Sequence, residues 1–275
     1  MTELGELVGQ GRTSRVYAYG RDSVVKVVDH GVPDAWPELE AELTRSIWAM
    51  GVPAPQVRDV VSIQGRPSVV FEWVAGPSMW QQMVAEPDRA PDLARDLAAI
   101  QKTLLQIGIP PGIPDLVDRL LRKIELATVL PENERAEAAA LTAALPRGAA
   151  LLHGDLHPGN ILMGPQGPVV IDWFDATIGH PVADLVRSSL LMQPGTSAPP
   201  RHLPGATKRV LQLVQQAYLR EFHEELQVAE SDLARWRGVV AAGRLAEHAE
   251  TDATALLDLW AARSDDQEAK LALLS

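Results

Sequence analysis

A β-like island most constrains how this chain can fold. The run "AALLHGDLHPGNILMGPQGPVVIDW" at residues 149–173 carries short apolar stretches punctuated by Gly and Pro, whereas the sequence on either side has helical periodicity. Ile161-Leu162-Met163 and Val169-Val170-Ile171 read as two strands joined by the turn-rich segment Gly164-Pro165-Gln166-Gly167-Pro168, a connection of hairpin length. Strands and helices therefore share the chain, and the expected class is α+β.

The first 74 residues repeat the mixture in another order. From Leu7 to Val28 the pattern is a meander of small strands with glycine turns. "PELEAELTRSIWAM", Pro37 to Met50, sets Leu39, Leu43, Ile47 and Met50 at helical spacing. Extended segments return in "PQVRDVVSI" and "PSVVFEWV" around the turn Gln64-Gly65-Arg66, and Ala75-Gly76-Pro77 breaks the pattern. The break predicts a β-rich N-terminal lobe with one main helix at 1–74, a joint at about 71–76, and a mainly helical lobe at 77–275.

The formal charge of −11, 25 basic against 36 acidic residues, argues against a nucleic-acid partner held through phosphates. It suits a cationic ligand, but by itself it speaks to a solvated, soluble surface. With no cysteine there is no disulfide framework, thiolate metal site or cysteine nucleophile. No apolar run approaches the ~18 residues of a membrane span, so the expectation is a cytoplasmic protein with no membrane association and no obligate protein partner evident.

In an antiparallel hairpin the residues entering the first strand and leaving the second lie side by side, here Asn160 and Asp172. A carboxamide and a carboxylate oxygen together are hard ligands suited to Mg²⁺, which keeps waters and shares its other positions with phosphates. Asp155 precedes Asn160 on a short loop, where a carboxylate can orient an acceptor hydroxyl and take its proton. His153 and His157 suggest a competing zinc pair, but i and i+4 suits a helix, and Pro158-Gly159 denies the segment one.

"HGDLHPGNIL" followed by "VVIDW" resembles the catalytic loop and metal segment of the aminoglycoside phosphotransferase and choline kinase-like family, relatives of protein kinases. The resemblance implies a bilobal protein-kinase-like fold, with a catalytic loop at 153–160 and a metal segment at 169–175. It implies Asp155 as catalytic aspartate, Asn160 and Asp172 as metal ligands, Mg²⁺ as cofactor and ATP as donor. "VGQGRTSRVYAYG" resembles the nucleotide-positioning loop, implicating Gly9, Gly11 and Ser14, although the third glycine of the usual fingerprint is missing. Lys26 corresponds to the strand lysine, with Glu42 as its expected helical partner and Glu40 and Glu38 as alternatives. "VFEWVAGPSM" resembles the hinge, where backbone groups around Glu72 and Val74 would meet adenine. Asp184 in "HPVADLVRS" corresponds to the aspartate that ties the loop down, or else caps a helix. Gln101 stands where many relatives have histidine.

His157 in place of a lysine, and no "APE" after the metal segment, weigh against a protein kinase. The acceptor is then a small-molecule hydroxyl. The leading expectation is an antibiotic such as an aminoglycoside or macrolide, with Glu224, Glu225, Glu247, Glu250 and Asp252 available to line a cationic site. Choline, a sugar or an amino alcohol is the alternative acceptor, and a nucleotide-binding pseudokinase is the rival class.

Overall fold

The computed structural model describes residues 4–193, 196, 205–223, 230–247 and 253–264. Along the chain these form β1 (Leu4–Gln10), β2 (Ser14–Tyr19), β3 (Ser23–Val28), α1 (Ala35–Ala49), β4 (Val57–Ile63), β5 (Arg66–Glu72) and α2 (Met79–Ala85). There follow α3 (Ala90–Leu105), α4 (Leu116–Leu126), α5 (Glu132–Ala144), β6 (Ala150–Leu152), β7 (Ile161–Gly164), β8 (Gly167–Val170) and β9 (Thr177–Gly179). Helices α6 (Pro181–Met192), α7 (Gly205–His223), α8 (Glu230–Arg244) and α9 (Thr254–Ala261) complete the described chain. The class is α+β, as the alternation of apolar periods requires.

Contacts divide the chain into two compact units, the first comprising 1–79, 110–112 and 159–176, the second 80–109, 113–158 and 177–275. The first unit is built on an antiparallel sheet in the order β1-β2-β3-β5-β4. Gln64 and Gly65 both take positive φ, 52° and 80°, in the two-residue turn that fixes Ile63 opposite Arg66. Register decides which face of the sheet is covered. Val24 pairs with Phe71 and Lys26 with Val69, so these four share one face. On that face Val24, Val69 and Phe71 pack with Ala41 of α1. Lys26 is thus carried to the helix-covered side of the sheet.

The face α1 buries only partly matches its apolar spacing. Pro37, Glu40, Ala41, Leu43, Thr44 and Ile47 are buried, whereas Leu39 and Met50 remain 38% and 43% exposed. The buried stripe repeats at three and four residues, as a helix face must. A carboxylate inside that stripe was the informative residue.

The hairpin β7–β8 belongs to the same unit and is tighter than its sequence suggests, because Gly164 pairs with Gly167 across only Pro165 and Gln166. Two other segments pin it: Met163 N–H donates to Pro77 C=O at 2.9 Å, and Val170 N–H to Pro53 C=O at 2.7 Å. At Gly76, φ is 146° and a Cβ would lie 2.2 Å from the Met163 carbonyl oxygen, so only glycine fits the crossing.

The second unit is helical, with a two-stranded pairing of β6 and β9. Its core joins Leu120 and Ile124 of α4, Val182, Val186 and Leu190 of α6, Trp236, Val239 and Val240 of α8, and Trp260 of α9. Asp115 opens α4 by accepting from the N–H groups of Val117 and Asp118. Helix α6 begins at Pro181, with His180 as its cap through Nδ1, which accepts Val182 N–H at 3.3 Å.

Candidate active site

In the first unit Lys26 stands between two carboxylates. Its Nζ donates to Glu40 Oε1 at 2.7 Å and to Asp172 Oδ1 at 3.0 Å. The partner of Lys26 is therefore Glu40; Glu42 is exposed, on the far side of α1. Glu40 is two positions away, about 200° around the helix, which takes it from the solvent face to the buried stripe. Burial alone would lower the Lys26 pKa, yet the charges of Asp172 and Glu40 and their hydrogen bonds outweigh it and hold the ammonium above its ordinary value. Glu40 feels burial first, which raises its carboxyl. The Lys26 charge opposes, Asp172 adds to the rise, and the net direction is upward.

Asp172 follows the second strand of the hairpin at φ 67° and ψ 62°, a left-handed conformation that costs a non-glycine residue about 1–2 kcal/mol. The residues after it are anchored: Trp173 is fully buried with its indole N–H on Val170 C=O at 2.9 Å, and Phe174 packs on Trp36 of α1 with ring centroids 4.6 Å apart. Asn160 enters the hairpin on the other side. Its C=O accepts Ile171 N–H at 2.9 Å, so Asn160 faces Ile171, and Asp172 lies one residue beyond the pair expected from the sequence.

Asn160 and Asp172 together offer one carboxamide and one carboxylate, hard oxygen donors that fit Mg²⁺, an ion that retains waters and takes phosphate oxygens. They do not fit a zinc site. Among the described residues no three His, Asp or Glu side chains gather as a metal cluster. When bound, such an ion neutralises phosphate charge.

The other nucleotide-side candidates also lie in this unit. Gly9 pairs with Val16, and Gly11 N–H closes the β1–β2 loop onto Ser14 C=O at 2.9 Å, with Ser14 buried at the head of β2. Glu72 ends β5 opposite Ser23, its N–H donated to Gln56 C=O at 2.9 Å, and the N–H of Trp73 goes to Asp22 C=O at 2.8 Å. The Val74 side chain sits against the hairpin turn, 3.2 Å from where a Cβ on Gly164 would be.

The second unit holds Asp155 and the histidines. His153 is fully buried, and its Nδ1 accepts Asp155 N–H at 3.1 Å, so this imidazole shapes the loop. Gly154 takes φ 77°, and the peptide around it is fastened on both sides. Its N–H donates to Asp184 Oδ1 at 2.7 Å, and its C=O accepts Arg187 Nε at 2.7 Å. Asp184 also accepts His153 N–H at 3.3 Å and Gln101 Nε2 at 2.9 Å. Lying inside α6, it ties the loop rather than capping the helix. Gln101 in turn accepts the Tyr218 hydroxyl, which completes a buried chain of neutral donors on one carboxylate.

Arg187, which sequence reasoning did not single out, and Glu247, expected there only as a liner of a cationic site, complete the surroundings of Asp155. Arg187 Nη2 donates to Asp155 Oδ1 at 3.0 Å, and Arg187 Nη1 donates to Glu247 Oε1 at 2.8 Å. Glu247 also receives Lys123 Nζ at 2.8 Å and lies 3.7 Å from Arg244 Nε. Burial would raise the Glu247 carboxyl, but Arg187, Lys123 and Arg244 hold it well below the usual carboxylate range. His157 Nε2 lies 4.0 Å from Asp155 Oδ2. A signal for Arg187 existed in "ADLVRSSLL": a carboxylate and a guanidinium three residues apart in an otherwise apolar helix seek buried partners.

Of the acidic residues expected to line a cationic site, Glu247 is engaged in these ion pairs, and Glu224, Glu225, Glu250 and Asp252 lie outside the described residues.

Comparison with known proteins agrees with this architecture. The profile of a family described as the phosphotransferase enzyme family matches residues 5–203. No curated protein sequence matches the chain. Among solved structures, a thermostable variant of aminoglycoside phosphotransferase APH(4)-Ia, in ternary complex with ADP and hygromycin B, aligns at TM-score 0.63 and 15% identity, over 99% of this chain and 93% of that one. Aminoglycoside-3'-phosphotransferase of type VIII aligns at TM-score 0.61 and 21% identity over 88% and 93% of the two chains. A choline/ethanolamine kinase family protein from Mesorhizobium loti aligns at TM-score 0.57 and 17% identity over 99% and 92%. At such identities the likeness is one of fold, and the fold is protein-kinase-like.

Proposed function

The chain belongs to the phosphotransferase enzyme family, a small-molecule kinase acting on hydroxyl groups, and from that premise we propose that it moves the γ-phosphate of ATP to an alcohol of a small acceptor through Asp155. The observation that carries the reading is the ammonium of Lys26 held between Glu40 and Asp172 at 2.7 and 3.0 Å. A fixed cation of this kind offers a point charge to the α- and β-phosphates, and the helix carboxylate keeps it in place. Asn160 and Asp172 would hold Mg²⁺. Gly9, Gly11 and Ser14 would approach the phosphates by backbone and hydroxyl. Glu72 C=O and Val74 N–H would meet the adenine edge. Asp155 would orient the acceptor hydroxyl and receive its proton as the oxygen attacks phosphorus and ADP leaves. No side chain is required as a covalent phosphoryl carrier, so the protein contributes position and charge.

The acceptor proposed first is an antibiotic of the aminoglycoside or macrolide type. One observation favours a second reading: Glu247, counted toward a polycation site, is saturated by Arg187, Lys123 and Arg244, which suits a sugar or amino alcohol of lower charge. ADP release from ATP, screened against kanamycin, erythromycin, choline and glucose, tests the acceptor class. Asp155→Ala should lower turnover with the successful acceptor by about 10²-fold or more while leaving Mg-ATP affinity within twofold. Near wild-type turnover by that variant would overturn the mechanism. Binding of Mg-ATP with no turnover on any acceptor would favour a pseudokinase module.

A further inference from the structure

We infer that Glu247, far from the catalytic loop in sequence, is a positioning residue for Asp155 and acts through Arg187. The inference rests on the reading of Asp155 as the proton acceptor. It follows from how few freedoms the Arg187 guanidinium retains. Its Nε is fixed on Gly154 C=O at 2.7 Å, its Nη1 on Glu247 Oε1 at 2.8 Å, and its Nη2 on Asp155 Oδ1 at 3.0 Å. Because a guanidinium is planar and its donors form a rigid fork, holding two corners sets the third. Gly154 fixes the corner next to the loop backbone. Glu247 fixes the opposite one, and the side chains of Arg187 and Glu247 are only 10% and 13% exposed, so water does not compete freely for either bond.

The anchor is itself anchored. Lys123 of α4 holds Glu247 at 2.8 Å, and Arg244, at the end of α8, stands 3.7 Å away. Two helices distant in sequence thus set the rotamer of the side chain that grips Asp155. The Asp155 carboxylate is thereby fixed on Oδ1. A carboxylate free to rotate would spend part of its time with neither oxygen directed at an acceptor hydroxyl.

What Glu247 must supply on this reading is reach: an oxygen at the right distance for Nη1. Glu247→Gln keeps the reach and loses the charge, whereas Glu247→Asp keeps the charge and withdraws the oxygen by about one bond length. A residue that merely balances charge or staples α4 would be replaced better by Asp. A positioning residue is replaced better by Gln. With ATP and whichever of kanamycin, erythromycin, choline or glucose supports turnover, Glu247→Asp should lower kcat about tenfold, short of the ~100-fold that a misplacement of 1 Å can cost. The KM for ATP and the Kd of Mg-ADP should stay within twofold, and Glu247→Gln should keep kcat within threefold of wild type. Lys123→Met, which loosens the Glu247 anchor but leaves its reach to Nη1, should lower kcat by less than Glu247→Asp does.

Equal or better turnover by Glu247→Asp than by Glu247→Gln would overturn the inference, as would loss of kcat in Lys123→Met equal to that in Glu247→Asp. Crystal structures of the two Glu247 variants provide a readout that needs no acceptor. The contact of Arg187 Nη2 with Asp155 should survive in the Gln variant and lengthen beyond hydrogen-bond range in the Asp variant; an unchanged contact in Glu247→Asp refutes the relay. Asp155→Asn separates the two layers. If it retains full turnover the assignment of Asp155 is at fault, and if it is inactive while Glu247→Asp is normal only the relay fails.

Discussion

Replacing Lys26 with Met removes the cation from a buried cluster without opening a large cavity. Glu40, its side chain 5% exposed, then has a carboxylate with no counter-charge at 2.7 Å. Breaking a buried pair in this way costs about 3–5 kcal/mol if the charge stays. Glu40 has an escape, because it can take up a proton. The loss therefore cannot exceed the free energy of protonating a carboxyl whose unfolded pKa is about 4.3, which is about 3.7 kcal/mol at pH 7 and about 1.6 kcal/mol at pH 5.5. Asp172 adds little, its side chain being 40% exposed and its pair screened by water. In the variant the folded-state pKa of Glu40 is raised above its unfolded value, so the native state gains stability as pH falls toward 4.3. Urea unfolding followed by tryptophan fluorescence should thus show a stability gap between wild type and Lys26→Met that shrinks from pH 7 to pH 5.5, by at most about 2 kcal/mol because the Glu40 carboxyl is already raised in the wild-type fold. Adding Glu40→Gln should remove the pH dependence of the gap, since Gln cannot ionise. A gap independent of pH, or a pH dependence that survives Glu40→Gln, would refute the reasoning.

Asn160→Ala and Asp172→Asn should each raise the Mg²⁺ concentration needed for half-maximal ADP release, the carboxylate change more than the carboxamide one, because each removes or weakens an oxygen donor. Gln101→Leu takes one donor from the buried Asp184 carboxylate, which keeps the N–H groups of His153 and Gly154, and one acceptor from the Tyr218 hydroxyl; at about 1 kcal/mol for each bond lost, a fall in the urea midpoint would register it. Gly76→Ala should destabilise or prevent folding, since its Cβ meets the Met163 carbonyl at 2.2 Å, whereas Gly205→Ala, with open space around it, should be nearly neutral.

Much of this was legible in the sequence because local chemistry wrote it there. The Gln64-Gly65 hairpin and the β7–β8 strands each depend on residues within a few positions of one another. The placing of Asn160 and Asp172 at the open end of the hairpin was legible for the same reason, short by one residue because the register runs from Ile161 opposite Val170 to Asn160 opposite Ile171. What was not legible depended on partners far along the chain. Apolar periodicity alone assigned Leu39 and Met50 to the buried face of α1, but the sheet beneath that helix presents Lys26, and a lysine needs a carboxylate more than another leucine. Glu40 enters the stripe for that reason, and no count along the helix by itself reveals it. Glu247 was read as one acid among several. Its neutralisation requires Lys123, Arg187 and Arg244, contributed by three different helices. Gln101, standing where many relatives have histidine, donates to Asp184, a partner far along the chain.

The left-handed backbone of Asp172 has a consequence for how such a chain ages. Glycine would occupy that conformation without steric penalty, so an exchange to Gly would recover at most about 1–2 kcal/mol while discarding a partner of Lys26 and, on the function proposed above, a metal donor. Selection for stability and selection for catalysis pull in opposite directions at this one codon.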